Sequence, residues 1–268
     1  RNLYHCTTKP KTKWIDMKRN AILNFTNVYR YETFYQHRYF NWIDCQDIKG
    51  SDCFCDSNAA REIEQQIADF SPHGIHFIDS GNYHYISKFW TDKINYPFVL
   101  VVVDHHPDMQ PSIFEGLLTC GSWVKDALDT NPMLKKVILI GADEKLSEAV
   151  SKQYGDRLKI YAESTLDHKE TWNRFASAHV NLPIYISVDK DVLSTQDEHT
   201  NWDQGKLRLS ELKKLLSIIL NKHEIIGIDI CGACPMTINQ MVQQQDILID
   251  DKVNQELLKV FHKHHVAA

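Results

Sequence analysis

No stretch of the chain approaches the roughly 20 consecutive apolar residues of a membrane-spanning helix, so no membrane partner is expected. Residues 1–13 are polar and lack the apolar core of a signal peptide. A basic excess is missing too: 30 Lys and Arg against 35 Asp and Glu give a net charge of -5. That balance argues against the positive footprint of a nucleic-acid binder. The seven cysteines are odd in number and dispersed, which excludes a small disulfide scaffold and fits a reducing cytosol. No internal repeat, low-complexity tract or clear linker breaks the chain. A single cytoplasmic domain over 1–268 is expected, with 43% hydrophobic residues available for a sizeable core.

What is present is an alternation of short apolar runs and amphipathic stretches. Strands are predicted at 21–28, 75–79, 98–104, 137–140, 184–189 and 225–230, with a weaker one at 158–161. Helices are predicted at 58–69, 85–91, 116–128, 144–153, 169–178, 210–220 and about 238–262. Ser210 is read as an N-cap without a capping box, because Lys213 stands three residues later. Such alternation implies an α/β fold of three layers, with a central, mainly parallel sheet covered on both faces. Segment 33–57 holds many aromatics, charges and cysteines without helical periodicity. It reads as an ordered, irregular surface excursion that shapes a pocket or an interface.

Two of the predicted strands end in acidic clusters. Phe98-Val99-Leu100-Val101-Val102-Val103 runs into Asp104-His105-His106-Pro107-Asp108, and Pro183-Ile184-Tyr185-Ile186 runs into Ser187-Val188-Asp189-Lys190-Asp191. Continuous β-branched runs read as buried parallel strands, and open α/β sheets bind ligands beyond the C-terminal ends of such strands. Residues i, i+2 and i+4 of an extended chain share a face. Asp104, His106 and Asp108 have that spacing, as do Asp189 and Asp191, while His105 and Lys190 point away. Four carboxylates at one sheet edge repel one another unless cations sit among them. Carboxylate and imidazole donors suit manganese or a similar divalent ion. Bridging aspartates suggest two ions about 3.5–4 Å apart.

Asp-x-His-x-Asp followed by Ser-x-Asp-x-Asp resembles the arginase/agmatinase (ureohydrolase) family of the arginase–deacetylase fold. Asp79-Ser80-Gly81-Asn82-Tyr83-His84 occupies the place of the family's Gly-rich loop with a metal-binding histidine. The likeness runs from about residue 75 to residue 235. It implies two manganese ions, one held by His84, Asp104, Asp108 and Asp189, the other by Asp104, His106, Asp189 and Asp191. It also implies that a hydroxide held between them attacks the sp² carbon of an amidine or amide, with Asp108 among the catalytic groups. Trimers or hexamers are common in the family, so a homo-oligomer acting on a small-molecule or peptide substrate is the implied assembly.

The likeness breaks at two places. In Leu117-Leu118-Thr119-Cys120-Gly121-Ser122-Trp123, Cys120 stands where arginases carry a proton-shuttling histidine. A thiol carries protons poorly at neutral pH unless its pKa is lowered. Cys120 is therefore a candidate nucleophile, substrate contact or small buried residue. In Asp229-Ile230-Cys231-Gly232-Ala233-Cys234-Pro235, Gly232 replaces the glutamate that contacts a guanidinium in the family. A guanidinium prefers a carboxylate fork, so hydrolysis of free arginine is not expected, and Gly232 is expected to open space near the metals. Asp143, after another strand, is a candidate acidic contact. Asn201, Trp202 and Asp203 are candidate pocket residues on the loop after the second cluster. The expected activity is hydrolysis of a non-peptide C–N bond in a guanidino, amidino or related amide group. Two rivals keep the fold: a deacetylase-type amidohydrolase with one metal, and a metal-binding protein without catalysis. Cys231-x-x-Cys234 and Cys53-Phe54-Cys55 together lack zinc spacing, so free thiols are expected.

Overall fold

The computed structural model describes residues 19–36, 39–112, 116–148, 153–166, 168, 170–172, 180–235 and 240–264. The apolar runs form a parallel sheet. Strands β1 (Ala21–Asn24), β2 (Asn41–Asp44), β4 (Ile75–Ile78), β5 (Phe98–Val103), β7 (Leu134–Ile140), β8 (Leu158–Tyr161), β9 (Ile184–Asp189) and β10 (Ile225–Cys231) pair in the order β2-β1-β4-β10-β9-β5-β7-β8. Every pairing is parallel. Two further strands, β3 (Phe54–Cys55) and β6 (Leu118–Thr119), make a separate antiparallel ribbon.

The central strands are buried on both faces, and the burial alternates between two cores. Leu100 and Val102 of β5 face one core, with α1 (Ser57–Ile67), α2 (Ile86–Asp92) and α3 (Trp123–Thr130). Val99, Val101 and Val103 face the other, with α6 (Leu209–Lys222) and α7 (Gln240–Lys263). Two short helices, α4 (Glu144–Glu148) and α5 (Glu163–Leu166), lie between β7 and β9 in sequence. The expected three-layer α/β/α architecture is therefore the one observed. Helix α6 docks through Leu212, Leu215, Leu216, Ile219 and Leu220, a spacing that lines one helical face. Each such side chain contributes about 1.5–3 kcal/mol by burial.

Several elements differ from expectation for local reasons. The first strand stops at Asn24, because Asn27 adopts a left-handed conformation (φ 62°) and opens a 3₁₀ turn over Val28–Tyr31. Helix α3 starts at Trp123 and not near residue 116, because Leu118–Thr119 is drawn into pairing with Phe54–Cys55. The N-cap of α6 is Arg208, not Ser210; the backbone N–H of Arg208 donates to Glu211 Oε2 at 2.9 Å. Segment 33–57 is ordered where described, but Asn41–Asp44 within it extends the main sheet at its edge. The helix expected at 169–178 lies almost wholly outside the described residues, as does the second half of the one at 144–153.

Candidate active site

Three strand ends supply the site. Asp79, just past β4, anchors the loop that follows. Its carboxylate accepts from the backbone N–H of Phe25 and Thr26 (both 2.8 Å), from Thr26 Oγ1 (2.7 Å) and from the N–H of Ser80 (2.8 Å). That grip sets the 3₁₀ turn Gly81–Tyr83, which delivers His84. Gly81 permits the approach of neighbours: a Cβ there would lie 2.9 Å from the Trp202 ring and 3.1 Å from Asp189 Oδ2. Asp104 follows β5, and Asp108 holds a left-handed backbone (φ 49°) that turns its carboxylate inward. Asp189 ends β9 and caps the next turn, accepting from the N–H of Asp191 at 3.0 Å.

These residues meet. His84 Nδ1 lies 3.1 Å from Asp104 Oδ2, 3.0 Å from Asp108 Oδ2 and 3.5 Å from Asp189 Oδ2. His106 Nδ1 lies 2.8 Å from Asp191 Oδ2 and 3.7 Å from Asp104 Oδ1. His84, Asp104, Asp108, Asp189 and Asp191 are buried, and His106 is mostly so. Lys190 points the opposite way, as alternation requires. It is fully buried against Asp250, with Glu198 Oε2 at 3.8 Å and Asn254 Oδ1 at 3.2 Å. His105 also turns aside, its Nδ1 3.4 Å from Glu163 Oε2.

The electrostatics are those of crowded like charges. Burial and the neighbouring Asp104 push Asp108 up to about 7, and burial with Asp189 and Asp104 pushes Asp191 well above the carboxylate range. Burial also raises Asp104, but His106 and His84 outweigh it and hold that carboxyl below its usual range. Burial lowers His106, but Asp104 and Asp191 lift it to about 11. Divalent cations would relieve this conflict at once. The donor set fits them. His84 Nδ1 and Asp104 Oδ2 are buried and only 3.1 Å apart, yet neither makes a hydrogen bond of good geometry, an unfavourable arrangement unless their lone pairs point at a cation. Three overlapping groups have donor atoms within 4.8 Å of one another: His84, Asp104 and Asp108; Asp104, His106 and Asp191; and His84, Asp189 and Cys231.

Side chains behind these groups, mostly not legible in the sequence, orient them. Ser187 Oγ lies 2.8 Å from His84 Nε2 and 3.0 Å from Ser87 Oγ. Trp123 Nε1 donates to Asp108 Oδ2 at 2.7 Å, and the Cys231 thiol donates to Asp189 Oδ2 at 3.0 Å. Only the serine of Ser-x-Asp-x-Asp carried any sequence signal, by its fixed spacing.

The centre opens into a pocket of about 320 Å³ whose walls include Cys53, Phe54, Pro107, Gln110, Cys120 and Trp202. Apart from His106 and the four aspartates, no described residue lining it carries a charge. Of the residues proposed from sequence to touch substrate, Trp202 lines the pocket. Asn201 instead donates to Asn82 Oδ1 at 2.9 Å, and Asp203 is exposed off the pocket wall. Asp143 caps α4, accepting from the N–H of Lys145 (2.9 Å) and Leu146 (3.2 Å). Gly232 does not open space. At φ 89°, a Cβ there would lie 2.3 Å from Asp189 Oδ1 and 2.7 Å from the Lys190 nitrogen, so the glycine lets β10 pass tightly beneath the centre.

Known proteins resemble the chain in sequence and in fold. The model of the arginase family matches residues 17–243. An uncharacterized protein of Thermotoga maritima is 33% identical over 159 residues, which is 59% of this chain and 58% of that relative, so the match leaves over a third of each outside it. The formimidoylglutamase of Bacillus subtilis superposes with a TM-score of 0.61 at 16% identity, covering 96% of both chains. The agmatine ureohydrolase of Thermoplasma volcanium gives 0.60 at 14% identity, covering 93% of this chain and 92% of that one. A putative agmatinase of Clostridium difficile gives 0.63 at 16% identity, covering 91% and 96%.

Proposed function

This chain belongs to the arginase family, and on that premise we propose that it is a metal-dependent hydrolase of a non-peptide C–N bond in an amidino, guanidino or related amide group. The observation that carries the reading is the convergence of Asp104, His106, Asp108, Asp189 and Asp191 at the floor of one pocket, with His84 buried directly behind them. His84, Asp104, Asp108 and Asp189 would hold one ion, and Asp104, His106, Asp189 and Asp191 the other. Manganese suits this mixture of carboxylate and imidazole donors. When bound, such ions lower the pKa of water and offset negative charge as it develops on the reacting group.

The chain's own residues supply the rest. Ser187 fixes the His84 ring through Nε2 and leaves Nδ1 turned to the carboxylates. Trp123 fixes the plane of the Asp108 carboxylate through Oδ2, which leaves Oδ1 to hold a proton in transit to the departing nitrogen. Cys120 stands on the pocket wall, where its thiol contacts the substrate beside Asp108. Phe54, Pro107 and Trp202 give apolar walls, and Gln110 gives a neutral polar one. An uncharged substrate tail matches those walls. Free arginine would bring an unmatched α-carboxylate and α-ammonium into them.

The test begins with elemental analysis of protein loaded with manganese, on wild type and Asp189→Ala. Close to two equivalents, lost in the variant, support the reading. One equivalent shifts it to a deacetylase-type amidohydrolase, and no tight metal sinks it. Release of urea, ammonia or amine is then followed on guanidino, amidino and acylamino compounds with neutral and charged tails. Bound metal without turnover on any of them would mark a metal-holding protein without catalysis.

A further inference from the structure

We infer that Cys53 and Cys120 form a reversible cross-strand disulfide at the rim of the pocket. In the β3–β6 ribbon, Phe54 pairs with Thr119 and Cys55 with Leu118. One step outward, Cys53 leaves the ribbon in a left-handed turn (φ 57°) but stays beside Cys120, whose N–H donates to the Cys53 carbonyl at 3.0 Å. Residues joined across an antiparallel pair by such a backbone bond have Cα atoms about 5.5 Å apart, inside the span of about 4.4–6.8 Å found for disulfides, and the turn at Cys53 is what the bridge must accommodate. The two thiols are close enough for each to perturb the titration of the other. Both are half-buried and line the pocket, whereas Cys45, Cys55 and Cys231 are buried elsewhere.

The bridge would close a loop over residues 53–120, which carries His84, Asp104, His106 and Asp108. It would lock the ribbon against the mouth of the pocket and remove the Cys120 thiol from its wall. Any effect on turnover rests on the hydrolase reading; formation of the bridge does not. With a peroxide as oxidant, the half-buried Cys53 sulfur attacks a peroxide oxygen and the O–O bond breaks, giving a sulfenic acid and water. The Cys120 sulfur then attacks the sulfenic sulfur, the S–O bond breaks, and the S–S bond forms as water leaves. Two thiols are oxidised by two electrons and the peroxide is reduced to two waters. A low-molecular-weight dithiol reverses the step. Burial raises both thiols above their ordinary range, so closure is expected over minutes to hours.

The manganese-loaded protein is treated with hydrogen peroxide, quenched and alkylated, and the intact mass and peptide map are read. The expected result is loss of two hydrogens, a mapped Cys53–Cys120 peptide, reversal by dithiothreitol, and a Tm higher by on the order of 5–10 °C in the oxidised form. Cys53→Ser and Cys120→Ser should each abolish the mapped bridge and the reductant-sensitive Tm shift. The inference is overturned if both cysteines remain alkylated, if either stops at a sulfinic acid, or if Cys120 maps to another cysteine. A mapped bridge in a protein without manganese would leave the disulfide standing and remove the hydrolase reading. Two bound ions without a bridge would do the reverse.

Discussion

At the scale of single residues, support for the candidate ligands matters as much as the ligands themselves. Ser187 is fully buried and contacts the far nitrogen of His84. Ser187→Ala is expected to weaken manganese binding about 10-fold or more while leaving the fold intact, measured by competition with a fluorescent chelator. An unchanged affinity would mean that His84 needs no such partner. Gly232 makes the opposite point. Its left-handed backbone and the 2.3 Å approach of Asp189 Oδ1 leave no room for a side chain. Gly232→Ala should cost about 2 kcal/mol or more in denaturant unfolding and lower manganese occupancy. Gly232→Glu should therefore fail to install arginine hydrolysis, and a gain of that activity would refute the steric account. The identity of this residue was legible in the sequence, but its consequence was not, because the crowding comes from Asp189 and Lys190 on a different strand.

At the scale of elements, the long apolar runs of β5 and β9 announced themselves, since strands buried on both faces need no polar alternation. The acidic residues after them were legible for the same reason. Strands β2, β3 and β6 were not, for they are two to four residues long and their order comes from distant pairing. The cysteine pair at the ribbon's end stayed hidden with them. A further cluster joins Lys190 after β9 to Asp250 and Asn254 of α7, to Glu198 and to Glu32; Asn254 Nδ2 donates to Glu32 Oε2 at 2.8 Å. Three acids face one lysine there. Burial lifts Glu32 to about 8 and Glu198 to about 7 against the pull of Lys190. With folded values above the ordinary glutamate value of about 4.3, the folded state holds more protons between about pH 4.3 and 8. Stability from this source is present below that window and is lost as pH rises through it. Glu32→Gln should match wild type in unfolding free energy at pH 5 and exceed it above pH 8, by on the order of 1 kcal/mol, read by denaturant titration. A deficit at high pH would show that the carboxylate is needed charged.

At the scale of the whole molecule, the proposed ions would join residues as far apart in sequence as His84 and Asp189, 105 positions, so metal loading and folding would be linked. Manganese at 100 times its Kd is expected to raise the Tm by about 5–10 °C. A chelator should reverse that rise and Asp189→Ala should lack it, with scanning calorimetry as the measurement. A Tm indifferent to metal would place the carboxylates outside any cation site. The order of the strands adds a consequence in time. Strand β10 is the last of the sheet to be made, yet it lies between β4, which leads to His84, and β9, which carries Asp189. Until it slides into that gap, nothing holds the two flanking strands at their spacing of about 9.5 Å. While the chain is still being made, β5 and β9 can pair, but His84 after β4 stays apart from their carboxylates until β10 has emerged. Full ion capture would therefore wait for β10, and a product cut short before it would leave the ribosome with His84 unable to join the other ligands around manganese.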